Sequence, residues 1–500
     1  MERMTAGQIA EAVGGRLLCG EGDIPVTDIC TDSRLIKAGD LYVPVRGGRV
    51  DGHRFMAGAF AAGAATSFTS EHDTAEELED VWKETGRTKD RHPAVIRVED
   101  TISALQKLGK YCRNRLGIPF VGVTGSVGKT STRAMIATAL SSGLHTFQTA
   151  GNANSQVGVP ITLSRIGEEY EAAVIELGMS QPGEMTRIAS IAGLHVAVIT
   201  NIGISHIEQL GSQVNILREK LHIMDGMRED GVLILNGDDP LLKPGADIGT
   251  DELAACVGRY EIRTYGLGEH NDYRASQVKV QDGRTVFRLC CPTERSGEKG
   301  EPYPGGELTV SLPAVGLHHV RNALAALACA GVMGLSIPDA AKALENFRGV
   351  AHRQEWVKLP ALGISVIDDA YNASPDSMKA AFTALSMAQS QGRKMAVLAD
   401  MWELGPETKR YHYEVGKALG ETDVSLLATV GQLAGEIARG ARETNPDLTV
   451  RCFEDRFLAG EWVMGQCREG DLVLFKGSNG EKLFEVVEKW KAMDKTETGL

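Results

Sequence analysis

The chain has no apolar run long enough to cross a membrane, no Cys-x-x-Cys pair, no internal repeat and no low-complexity tract. The first absence argues against insertion in a bilayer, and the second removes the usual zinc and dithiol signatures. Its nine cysteines are scattered from Cys19 to Cys467, and adjacent Cys290 and Cys291 suit no ordinary bridge. Such usage fits free thiols in a reducing compartment. The opening stretch, Met1 to Gln8, lacks the apolar centre of a secretory leader, so a cytoplasmic location is expected. An excess of basic residues is also missing. With 53 Lys and Arg against 66 Asp and Glu, the net charge of −13 counts against a nucleic-acid surface, while leaving room for a local basic site for a small anion. At 500 residues the chain exceeds what one core usually organises, and roughly two to four domains are expected.

What is present centres on Val121 to Thr132. Phe120 to Val123 reads as a short buried strand and Thr132 to Leu140 as the opening of an alanine-rich helix, with a glycine-rich turn ending in Gly128-Lys129-Thr130 between them. Glycines let backbone N–H groups approach an anion, and a helix N-terminus adds a favourable dipole and unpaired donors. The cradle runs through Thr124, Gly125, Ser126, Val127, Gly128, Lys129, Thr130 and Ser131. Lys129 is expected on the outer phosphates of a nucleoside triphosphate and the Thr130 hydroxyl on its Mg²⁺. The spacing departs from the strict phosphate-loop pattern, because Val123 stands where the first glycine is usual.

Further apolar runs end in polar groups. Ala172 to Glu176 ends in an acid suited to a second Mg²⁺ contact, and Val196 to Asn201 empties into Ile202 to His206. In open α/β sheets ligands gather at the carboxyl ends of strands. A lone histidine in such a place is either a structural group or a metal ligand, and the convergence of Thr130, Glu176, Asn201 and His206 keeps the ligand reading open. The loop Gly151 to Pro160 offers Asn152, Asn154 and Gln156 to phosphate or substrate. Ser212 caps a helix carrying Lys220, which by position alone reads as a solvated charge. Residues 261–312 suggest an antiparallel extension with a tip at Glu294 to Gly306. His318 and His319, opening the next helix, suit capping and ligand contacts better than metal.

The fold class expected is α/β in three domains: a small α/β unit at 1–115, a central phosphate-loop ATPase-type parallel sheet at 116–346, and a doubly wound, Rossmann-like unit at 347–500. In the first, Ser33, Arg34 and Arg46 are candidate anion contacts or equally solvated loop charges, and the helix from Thr101 to Arg115 reads as the link to the second. In the third, strands ending at Asp369, Asp400 and Lys476 must serve something shared with the central unit, since it has no phosphate loop of its own.

Taken together, these motifs resemble the Mur ligases, ATP-dependent amide-forming enzymes of peptidoglycan precursor synthesis. The resemblance spans nearly the whole chain. It rests on Thr124 to Thr130, Gly151-Asn152 with Gly158-Val159-Pro160, Glu176-Leu177-Gly178, Asn201 to His206, Gly316 to Asn322, Asp369 to Ala373 and Asp400 to Gly405. Asp32-Ser33-Arg34 and Asp51-Gly52-His53 favour the branch that adds D-alanyl-D-alanine to a UDP-N-acetylmuramoyl-tripeptide. The Asp-Asn-Pro-Arg signature of the diaminopimelate-adding branch is absent.

The resemblance implies ATP and Mg²⁺, with Lys129 on the phosphates and Thr130 and Glu176 on one metal. His206 would bind a second metal, and Lys220 would be a carbamylated metal ligand. It further implies Asn322 at the adenine, Asp369 at the ribose and Arg353 at the nucleotide across the domain boundary. Ser33, Arg34, Arg46, Asn152, Tyr371 and Asn372 would serve the substrates, and a monomer is expected. Two positions depart from the family pattern: Ser374 stands where asparagine is usual, and Asn479 where arginine is usual. The competing expectations are a folylpolyglutamate-synthase-like ligase, which would lack the first domain's signature, and a non-catalytic ATP-binding switch.

Overall fold

A computed structural model describes residues 4–48, 50–85, 92–243, 253–254, 258–281, 283–293 and 305–498. The tip expected at Glu294 to Gly306 falls mostly outside them.

Three main sheets organise the described chain. The first has five strands in the spatial order Arg16–Cys19, Ala94–Arg97, Thr66–Thr69, Leu41–Tyr42, Ile29–Cys30, antiparallel only at the first pair. The helix Ala6–Val13 packs beside it and starts as a capping box: Gln8 N–H donates to Thr5 Oγ1, while Thr5 N–H donates to Gln8 Oε1.

The second sheet has nine strands. Its centre is Phe120–Thr124, flanked in parallel by Ala172–Glu176 and Leu194–Ile199, with Thr146–Gln148, Met227–Asn236 and Glu261–Gly266 continuing outwards. The expected antiparallel extension is present as Tyr273–Gln281, Arg284–Cys291 and Gly306–Leu312. It is no separate module, because Tyr273–Gln281 pairs with Glu261–Gly266 and prolongs the same sheet. The strands are apolar on both sides, and two cores, one on each face, bury them beneath helices. The third sheet orders Glu355–Leu359, Ile364–Asp369, Leu472–Lys476, Lys394–Ala399, Val424–Val430 and Thr449–Phe453, parallel after the first pair, again with a core on each face.

The helix read as a linker spans Thr101–Asn114 and is an interface. One face packs on Ala6–Val13 and the other on Gly158–Ser164 and Glu184–Ala192. At Gly109 the fit is so close that a Cβ would lie 2.6 Å from Pro160 Cα, so glycine is required by contact. Arg113 closes the same seam, donating from Nε to the Ala192 carbonyl at 2.8 Å.

No helix among the described residues is long and apolar enough to cross a membrane.

Candidate functional site

The phosphate loop joins Phe120–Thr124 to a helix that begins at Lys129, three residues earlier than the sequence suggests. Gly128, at φ 85°, turns the chain at the position before it. Gly125 sits at φ 145°, and a Cβ there would lie 1.9 Å from Thr200 Oγ1. The neighbouring strand end holds the loop in shape. Ser126 N–H donates to the Asn201 carbonyl at 3.0 Å and Val127 N–H to Asn201 Oδ1 at 3.0 Å, while Thr200 Oγ1 donates to the Val127 carbonyl at 2.6 Å. Asn201 therefore braces the loop from the side. Lys129 folds back on it, its ammonium 2.8 Å from the Gly125 carbonyl oxygen. Burial and nearby Arg353 push the Lys129 amine below its ordinary range, against the pull of Glu176.

The next strand over ends at Glu176, buried at 1% exposure. Glu176 Oε1 accepts from Thr130 Oγ1 at 3.2 Å and from Asn154 Nδ2 at 2.7 Å. Its Oε2 is buried without a hydrogen-bond partner, 3.6 Å from the buried Arg133 guanidinium. A buried carboxylate oxygen with no hydrogen bond calls for a ligand, and hydroxyl and carboxylate oxygens are the donors a hard divalent cation takes. The residues present therefore fit Mg²⁺.

His206 ends the third strand's loop at φ 64° and lines the same cavity. Its Nδ1 lies 2.5 Å from Glu403 Oε2 of the third sheet's unit, off the ring N–H axis. Lys220 corrects the surface reading that position alone gives. It is 1% exposed, on the helix Gln213–Leu221 next to Glu219, whose carboxylate accepts from Gly183 N–H and Met185 N–H at 2.9 and 3.0 Å. Burial, with Lys129 nearby, holds the Lys220 amine well below the usual lysine range. It is not among the side chains that line the cavity.

The third unit closes the cleft. Asp369 and Lys476 end adjacent parallel strands in register and pair at 2.7 Å. Burial raises the Asp369 carboxyl, opposed by Lys476 and Arg353. The Arg353 guanidinium lies 4.2 Å from the Tyr371 ring centroid, a cation–π distance. Asn322 Oδ1 accepts from Thr132 Oγ1 at 3.0 Å, tying the adenine candidate to the phosphate-loop helix.

The cleft between the second and third sheets encloses about 650 Å³. It brings together the loop from Ser126 to Ser131 with Asn152, Glu176 and His206 from the central unit. Asn322 lies beside the loop on the central unit, and Arg353, Asp369, Tyr371 and Asn372 complete the cleft from the third unit. Thr124 and Gly125 support the loop from behind.

Ser33, Arg34 and Arg46 are not in this cleft. Arg34 is bound to Asp32 at 2.6 Å with its side chain 84% exposed, and Arg46 bridges Asp51 and Glu71, each at 2.7 Å. His318 and His319 do not cap their helix, whose N-terminal position is Gly316 with no side-chain cap. Both line the cleft, His318 half-buried and His319 buried, and burial lowers His319 to about 4, which keeps it neutral near pH 7. Ser374, the first departure, caps Pro375–Met387 through reciprocal bonds with Ser377. Asn479, the second, is exposed and outside the cleft lining, whose cation on that strand end is Lys476.

Sequence reasoning missed Arg133, Gln354 and Glu403. Arg133 and Glu403 lie in helical or turn segments where a charge ordinarily faces water. Gln354 is one of two non-glycine residues at positive φ at the entry to the third unit, the other being His352.

Comparison with known proteins agrees with this geometry. Family models described as "Mur ligase family, catalytic domain", "Mur ligase middle domain" and "Mur ligase, glutamate ligase domain" match residues 25–112, 123–330 and 352–479. The chain is 37% identical, over 97% of its length and 98% of the other's, to the UDP-N-acetylmuramoyl-tripeptide–D-alanyl-D-alanine ligase of Bacillus subtilis. A crystal structure of MurF from Acinetobacter baumannii superposes with a TM-score of 0.81 at 29% identity, covering 98% of this chain and 99% of that one. The MurF ligase of Thermotoga maritima, solved in complex with ADP, shares the fold with a TM-score of 0.76 at 24% identity over 94% and 98%. With an interdomain phosphate-loop cleft and full-length similarity of this kind, the chain belongs to the Mur ligase family.

Proposed function

We infer that this chain is an ATP-dependent ligase that joins D-alanyl-D-alanine to UDP-N-acetylmuramoyl-tripeptide in peptidoglycan precursor synthesis. The observation that carries the reading is the meeting of a phosphate loop with the polar strand ends of two sheets in one cleft. The first domain's family match over 25–112 removes support from the folylpolyglutamate-synthase-like alternative, and the ligase relatives remove it from the non-catalytic switch.

Amide formation in water needs an activated carboxylate. The tripeptide's terminal carboxylate attacks the γ-phosphorus of ATP, the bond to ADP breaks, and an acyl phosphate results. The free amine of D-alanyl-D-alanine then attacks the acyl carbon, and phosphate departs as the tetrahedral intermediate collapses. Catalysis of such transfers is chiefly positioning and charge stabilisation. We assign Lys129 to the outer phosphates, which it reaches by leaving the Gly125 carbonyl, and the N–H groups of Gly128 to Ser131, at the start of the helix, to the phosphate cradle. Asn322 and Asp369 hold adenosine, while Arg353, stacked on Tyr371, reaches the nucleotide from the third unit. Asn152, Tyr371 and Asn372 face the reacting ends of the substrates.

Thr130, Glu176, His206 and Lys220 are assigned to Mg²⁺, which when bound would neutralise charge developing on the phosphoryl oxygens. The lowered Lys220 amine suits carbamylation, because only the neutral amine attacks CO₂ and the product is a carboxylate able to ligate metal. Closure of the third unit on the second keeps water from the acyl phosphate. Ser33, Arg34 and Arg46 are assigned to the uridine diphosphate end. We propose domain limits near 115 and 346, and a cytoplasmic monomer.

A coupled phosphate-release assay tests the reading. Release that requires UDP-N-acetylmuramoyl-tripeptide and D-alanyl-D-alanine together is expected. Equal release with the tripeptide alone, or with a folate acceptor and glutamate instead, would overturn it.

A further inference from the structure

His206 and Glu403 meet across the boundary between the second and third units, and both are non-glycine residues in the left-handed backbone region, at φ 64° and 62°. Such strain persists only where the surroundings over-determine it, and it clusters at sites of function. The surroundings here are two loops pressed together. Gly405, two residues after Glu403, sits so that a Cβ would lie 3.4 Å from Glu208 Cα, just after His206. Gly203, three residues before His206, leaves room for Asp376, whose Oδ2 would stand 2.3 Å from a Cβ at that position. The loop that carries His206 is therefore seated on the third unit at both of its ends. His206 lines the cleft, whereas Glu403, 2.5 Å from its Nδ1, does not. With Nδ1 at Glu403, Nε2 is the remaining ring nitrogen. Metal-bound histidines are generally oriented in this way, by a carboxylate at the other nitrogen.

We propose that Glu403 is a positioning residue. Its carboxylate stands 2.5 Å from His206 Nδ1, and the small turn of the ring that aligns the N–H with it would fix the tautomer that presents Nε2 to the cleft, so the metal ligand of one domain is set only when the other is docked. The proposal rests on the assignment of His206 to metal. It makes completion of the second metal site and seating of the third unit one event: nucleotide and metal favour closure, and closure in turn orients the ligand that metal needs.

The test uses Mn²⁺ as the probe, titrated by electron paramagnetic resonance into the full chain saturated with β,γ-imido-ATP. Glu403 is 49% exposed in its side chain, so its variants fold, which a thermal melt checks. Glu403→Ala is expected to weaken the second Mn²⁺ by about tenfold, the scale of lost outer-shell support. Glu403→Gln, which can still accept from Nδ1, weakens it less. His206→Ala removes the second Mn²⁺, and the double variant His206→Ala/Glu403→Ala falls no further. Wild-type Mn²⁺ affinity in Glu403→Ala beside a lost site in His206→Ala would overturn the positioning role and leave the metal reading intact. Additive losses in the double variant would overturn it as well. Unchanged Mn²⁺ binding in His206→Ala would overturn the metal assignment, and the proposal with it.

Discussion

The cleft at the phosphate loop and the anion loops of the first domain hold their polar side chains in opposite states. In the cleft, Glu176 Oε2, His318 Nε2 and His319 Nδ1 are buried with no hydrogen-bond partner. In the first domain, Arg34 and Arg46 are mostly exposed and already joined to Asp32, Asp51 and Glu71. A buried polar atom left without a partner costs folding free energy that a ligand can return. An exposed ion pair contributes little and reports little. The cleft therefore declares itself by its incompleteness, while the first domain's loops look finished even if they bind.

Substitutions can sharpen or break that contrast. Lys129→Ala should lower ligation by about a thousandfold, the scale of losing a preorganised charge at a transferring phosphoryl group, as read by product formation at saturating substrate. A drop of less than tenfold would detach the loop from the chemistry. Lys476→Met leaves Asp369 buried and unpaired, which should cost about 3 kcal/mol in denaturant unfolding at neutral pH. The pH dependence has a definite sign. Burial already raises the Asp369 carboxyl, and losing Lys476 raises it further, so the folded variant takes up a proton more readily than the unfolded chain. The deficit should therefore shrink on acidification towards pH 4 and be largest where the carboxylate must ionise. A deficit independent of pH would mean the pair is not electrostatic.

His206→Ala should reduce turnover by about thirtyfold at low Mg²⁺, with part recovered as Mg²⁺ is raised. Loss that ignores Mg²⁺ would make His206 a structural group. The smallest effect belongs to the other side of the comparison. Arg34→Ala should raise KM for the uridine-diphosphate substrate by about tenfold, as for one charged hydrogen bond, while unfolding free energy stays within about 0.5 kcal/mol. If KM does not move, Arg34 is the solvated charge its exposure suggests.

Strong local physics was readable in the residues alone. The strand, glycines and helix around Lys129 announce themselves because a tight turn before a helix leaves few other choices, and Thr5 and Ser212 as caps follow from short-range hydrogen bonding. The three-unit α/β architecture follows from alternating apolar runs and helices. What local pattern does not contain is burial by a distant element. Lys220 sits on a helix where lysine ordinarily meets water, and only packing of the central domain encloses it. Arg133 has the same helical setting and ends beside Glu176. Glu403 has no meaning for His206 until two domains meet. The helix start at Lys129, read too late, shows a milder form of this, since the first turn belongs to the loop in sequence and to the helix in space.

The seam at Gly109 and Pro160 has one more consequence. Where backbone rests on backbone without a side chain between, there is nothing to rotate aside, and the surfaces cannot creep past each other. The helix Thr101–Asn114 is thus seated directly on Gly158–Ser164, close to the loop that carries Asn152 and Asn154. A side chain added at Gly109 would have to part the two surfaces, so this joint is set by the main chain itself.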